Sequence, residues 1–86
     1  MDETNPILRS TILEVVDNQL RDNDPPETRQ TYKRLMADRC SASEAKRLIA
    51  CVVVSELFEV MKQGRPFDQA RFAAALSRLP ALPWEE

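Results

Sequence analysis

Histidine is absent from the 86 residues, and glycine occurs once, at position 64. The first absence removes the commonest general base and the most frequent nitrogen ligand for metals, so the usual hydrolase and metal-centre patterns have no starting point. The second excludes both common phosphate-cradling loops, each of which needs several glycines. Cysteine is scarce as well. Cys40 and Cys51 are expected as free thiols, because a chain with an adequate core of its own does not depend on a bridge and Cys51 falls inside an apolar helix. No segment approaches the roughly 18 consecutive apolar residues of a spanning helix, and the sequence does not open on a basic stretch followed by an apolar one, so a cytoplasmic location is expected. The net charge is −2, with the two signs interleaved along the chain. Without a positive field to draw in phosphate backbones, nucleic acid is not an expected partner.

What is present describes a folded, soluble helical domain. An apolar share of 43% against 30% charged is too apolar for a disordered chain. A chain of this length has surface for one core only. A single helical domain over 1–86 is therefore expected, with tails at 1–4 and 80–86.

Helix punctuation divides the chain into four segments. Asn5 and Pro6 suit the cap and first position of a helix, and Leu8, Ile12, Val15, Val16 and Leu20 recur at helical spacing to about Arg21. Asp22, Asn23, Asp24, Pro25 and Pro26 form the turn. A second helix to about Asp38 is expected to be capped by Asp24, with Pro25 first and Glu27 in its opening turn. Its apolar face, Tyr32 with Leu35 and Met36, is thin. Arg29, Lys33 and Arg34 read as a solvated face on a helix lying flat on the outside, with nucleic-acid binding through this helix as a further alternative.

The third segment has the clearest signals. Ser41 with Glu44 is a capping box, and Gly64 stands where a helix ends in positive φ, so a helix over about 42–63 is predicted as the hub of the fold. The β-branched run from Ile49 to Val54 also suits a strand, but it has no partner and both flanks form helix well. Asp68 caps a fourth helix to about Leu79, with Phe67 and Phe72 placed as a hydrophobic staple, and Pro80 ends it. The predicted fold class is all-α, a small bundle of four helices around the central apolar one.

Candidate chemistry is sparse. Cys40, beside Arg39 and just before the third helix, is the better placed thiol for a small thiol-dependent enzyme or redox protein. Its blander reading is a small half-buried loop residue. Glu14 with Asp17 and Glu56 with Glu59 have the three-residue spacing of di-iron bundles but lack the histidines such centres need. The segment from Asp22 begins like a calcium loop and then loses its ligand and glycine positions. Lys46 and Arg47 would open a recognition helix, yet the rest of that helix is too apolar for a groove in DNA. No catalytic, cofactor-binding or metal residue, no small-molecule substrate and no membrane contact is assigned.

The order of motifs resembles a bacterial family of small helical proteins of unknown function. The shared pattern is Asn5, Pro6 and Leu8, then Gln19, the turn at Asp24, Pro25 and Pro26, then Tyr32, Leu35, Glu44 and Ala45, and finally Gly64, Arg65, Pro66 and Asp68. It covers most of the chain. Relatives often carry histidines in the first and third helices, which implies a metal site in them. The matching positions here are Arg9, Leu13 and Arg47, so no metal function is carried over.

Function is expected to lie in association. The apolar arc of the third helix, Ile49, Ala50, Val53, Val54, Leu57, Phe58, Val60 and Met61, is expected to face the core, opposite Glu44, Ser55, Glu59 and Lys62. Leu48, Cys51 and Val52 interrupt the polar stripe and need cover of their own. With Leu82 and Trp84 of the tail they are the candidate interface, covered either within the chain or by a protein partner, a second copy included.

Overall fold

The computed structural model describes residues 6–84, with side chains from Arg9 onward. Asn5 as a cap and the side chain of Leu8 lie outside the described residues. Four helices follow in order: α1 (Pro6–Asp22), α2 (Pro26–Ala37), α3 (Ala42–Gln63) and α4 (Gln69–Arg78). Among the described residues there is no strand. The β-branched run from Ile49 to Val54 is helical throughout. α3 is the axis of the bundle, with α1, α2 and α4 each packed against it.

Both predicted ends of α3 are in place. Ser41 Oγ accepts the Glu44 amide at 3.0 Å, and Gly64 adopts φ 65° with its amide on the Val60 carbonyl at 2.9 Å. The reciprocal half of the capping box is not used. The Glu44 carboxylate instead takes a two-pronged contact from Arg47, Nη2 to Oε2 at 2.6 Å and Nε to Oε1 at 3.2 Å, which holds its proton affinity below the ordinary range. At α4, Asp68 Oδ1 accepts the amides of Ala70 and Arg71, and the staple forms with the Phe67 and Phe72 rings 5.5 Å apart.

The cap of α2 differs from expectation by one residue. Pro25 is the N-cap, with no side-chain bond, and Pro26 opens the helix. The physical reason lies in α1. The Asp24 amide reaches back to the Gln19 carbonyl at 3.1 Å across Asn23 at φ 53°, so Asp24 closes the preceding helix. A second left-handed stop ends α2: Arg39 has φ 79°, its amide bonds the Met36 carbonyl at 3.1 Å, and the Cys40 amide bonds the Leu35 carbonyl at 3.0 Å. That is the paired bond set of a Schellman motif with arginine in the place usually held by glycine.

α2 is also more than an outer helix. Leu35 is fully buried, Thr28 and Thr31 are buried beside it, and Thr28 Oγ1 donates to Gln19 Oε1 of α1 at 2.8 Å. Two of its three cations, expected as a solvated face, are half-buried and engaged. Arg29 Nη2 donates to the Leu20 carbonyl at 2.6 Å, and Arg34 donates to the Leu79 and Leu76 carbonyls at 2.9 and 3.1 Å. These carbonyls lie at the C-terminal ends of α1 and α4, where the Leu76 carbonyl also accepts the Leu79 amide at 3.1 Å, and a cation suits the negative pole of each helix. Leu35 carries the apolar contact while the two arginines tie α2 to both neighbours.

Truncation of Arg34 removes both bonds to the end of α4. Arg34→Ala is expected to destabilise the fold by about 1–2 kcal/mol, read as a fall in thermal midpoint of about 5–12 °C. Arg34→Lys, which keeps the charge but loses the fork, recovers only part of it. Arg39→Gly relieves the left-handed strain at the end of α2 and is expected to raise stability by about 1 kcal/mol in the same assay.

Candidate functional site

The five candidate interface residues separate in the structure. Leu48 and Val52 are buried in the core beside Ile12, Val16 and Leu35, so these two do not form a surface. Their cover comes from within the chain, because α1, α2 and α4 all pack against α3. Leu82 is half-buried against the same core, Cys51 is half-buried, and Trp84 is 60% exposed.

The surface lies one turn further on, on side chains expected in the core. Leu57 is 43% exposed, Phe58 64% and Met61 77%. Helix periodicity shows why type alone misassigned them. At about 100° per residue, Leu57, Phe58 and Met61 lie within about 60° of Val54, whereas the buried Val52 and Glu56 lie about 160° away. The helix therefore has two apolar faces, one turned inward and one outward. Going back toward the N-terminus, the stripe sinks through the half-buried Val54 and Cys51 to the buried Ala50.

Along that earlier half the stripe is the floor of a groove of about 830 Å³. Leu13 and Ile12 of α1 form one wall and Trp84 stands on the lining with them. Two ion pairs stand on its rim: Lys46 meets Asp17 at 2.8 Å, which raises the lysine's proton affinity, and Arg47 meets Glu44, while Arg9 also lines the groove. Burial pushes the Cys51 thiol above its ordinary proton affinity, with Arg47 opposing and Glu44 reinforcing the shift. A thiol so placed is held in its neutral, poorly nucleophilic form.

Cys40 has a structural account. It follows the left-handed residue of the Schellman motif and packs against the cluster that holds Leu35, where such motifs carry an apolar contact.

A second cleft, of about 430 Å³, lies between α3 and α4 and is lined by Glu56, Glu59, Arg71 and Arg78 among others. The Arg71 guanidinium stands 3.7 Å from the buried Glu56 carboxylate and 3.6 Å from that of Glu59. One cation thus lies between the two acids that share a helix face, and the trio joins α3 to α4. Among the described residues no group of three or more cysteine, aspartate or glutamate side chains could hold a metal ion. Ser77, on the same cleft, donates its hydroxyl to the Ala74 carbonyl at 2.7 Å, a bond within its own helix.

Among the described residues no helix is long and apolar enough to cross a membrane. Comparison with protein-family models, with curated proteins and with solved structures finds no significant match for this chain.

Proposed function

We propose that this chain is a non-enzymatic helical domain of the bacterial cytoplasm that acts through protein association, and that its partner docks on the outward face of α3. The observation that carries this is the exposure of Leu57, Phe58 and Met61 on one face of one helix, leading into the groove beside Trp84. Single exposed apolar side chains are ordinary, but three large ones in register, joined to an apolar groove, are a typical interaction surface. Nothing in the core requires them. With Lys46 and Arg47 of the rim held in ion pairs, the apolar floor is the main attractive part.

The alternatives draw less support. A thiol enzyme has Cys40 engaged as a helix-end plug and Cys51 disfavoured as a thiolate. Nucleic-acid binding through α2 has two of its three cations donating to backbone carbonyls of other helices.

Side chains that hold no fold together can be changed without unfolding it. Phe58→Asp and Met61→Asp are expected to shift unfolding free energy by no more than about 0.5 kcal/mol in chemical denaturation, whereas Val52→Asp abolishes folding. A photo-crosslinking phenylalanine placed at Phe58 or Trp84 in living cells should give discrete protein adducts absent from the same probe at exposed Lys33. If positions 58 and 84 give no adduct beyond that control, association through this face is refuted.

A further inference from the structure

The outward stripe of α3 has a gradient of side-chain size. Ala50 and Cys51 are small and lie in the groove; Leu57, Phe58 and Met61 are large and stand out from the surface. Val54 sits between the two halves. A surface whose one half is recessed and whose other half protrudes fits a copy of itself turned end for end.

From these features we propose that the partner is a second copy of this chain, paired through antiparallel α3 helices about a two-fold axis near Val54. This rests on the association proposed above and names its occupant. In such a pairing, a residue faces the residue equally far from Val54 on the other copy, provided that both lean to the same flank. With about 100° per residue, Phe58 and Cys51 lean to one flank by about 40° and 60°, and Leu57 and Ala50 to the other by about 60° and 40°. Phe58 therefore enters the groove over Cys51 of the second copy, and Leu57 over Ala50.

Charge supports the same register. Lys62 and Glu44 both lie about 80° from Val54 on the flank of Phe58, at nearly equal distances along the helix on either side of it. The pairing sets Lys62 of each copy beside the Glu44–Arg47 ion pair of the other, and Met61 over the Arg47 stem. Symmetry repeats the contact twice. Both Glu44 oxygens accept from Arg47, and each has a second lone pair with which the carboxylate can accept from Lys62 as well. Trp84 lines the groove that the second copy's Phe58 fills, which gives an intrinsic optical report of the event.

Analytical ultracentrifugation of the full chain over a wide concentration range, with Trp84 emission followed in parallel, tests the pairing. The expected result is a reversible dimer of twice 9.8 kDa, with a blue shift of emission as the dimer forms. Phe58→Asp should give a monomer whose helix content by circular dichroism is unchanged. Glu44→Lys and Lys62→Glu should each weaken the dimer by about threefold to tenfold, and the two together should restore it.

A wild-type chain that stays monomeric at high micromolar concentration overturns the second copy as partner. The crosslinks at position 58 then decide the wider proposal: an adduct with a different protein upholds association, and no adduct removes it as well. A dimer that Phe58→Asp leaves intact is formed elsewhere on the molecule and also overturns the inference. A dimer lost with Phe58→Asp but indifferent to both charge changes overturns the antiparallel register.

Discussion

The structure depends on one constraint of length. α3 has 22 residues and is apolar on two faces, whereas the helices that cover it have 17, 12 and 10. At 1.5 Å per residue these are rods of about 33 Å against about 25, 18 and 15 Å. Three shorter rods can surround part of a longer one, but not all of it. The covered face carries Ala45, Leu48, Ile49 and Val52 in the first half and Glu56, beside Arg71 of α4, in the second. The outward face of the second half is left over, and Leu57, Phe58 and Met61 are on it.

Covering even half of α3 requires that short helices stay in place, and short helices are weak on their own. The chain solves this at their ends. Asn23, Arg39 and Gly64 each turn the backbone left-handed to stop a helix, and the last carbonyls of α1 and α4 are taken by Arg29 and Arg34 from α2. The Arg29 bond joins consecutive helices, whereas Arg34 reaches residues 76 and 79, far along the chain. α2 thereby stabilises the bundle through polar contacts to two neighbours, in addition to the apolar contact of Leu35. At the other flank, Arg71 performs a similar task with side chains, standing between Glu56 and Glu59.

The parts of this design that are local were legible in the sequence. Ser41 and Gly64 bound α3, Asp68 caps α4, and Phe67 meets Phe72, because each motif is closed within a few residues. The parts that depend on a distant partner were not. Arg29 and Arg34 look like solvent-facing cations until the carbonyls at the ends of other helices come within reach. Asp24 looks like the start of α2, and only the bond from its amide to Gln19 assigns it to the end of α1. The exposed face of α3 depends on distant elements in the same way: Leu57 and Leu48 are the same residue type, and only the side of α3 on which the other helices pack decides which is covered. The β-branched run in α3 obscured this further by making almost every direction apolar.

Proline sets the length of α4 within the sequence itself. Helix 4 cannot extend past Pro80 or begin before Pro66, so no more than about four turns of helix are available on that side. Gly64 and Pro66 fall at the far end of α3, and the chain leaves the helix there for α4. α4 then spends its buried residues Phe72, Ala75 and Leu76 on the common core rather than on the opposite side of α3. A chain with one glycine and a ten-residue last helix has no further segment to lay over Phe58 among its described residues, and the face persists because the covalent order of the helices leaves nothing to reach it.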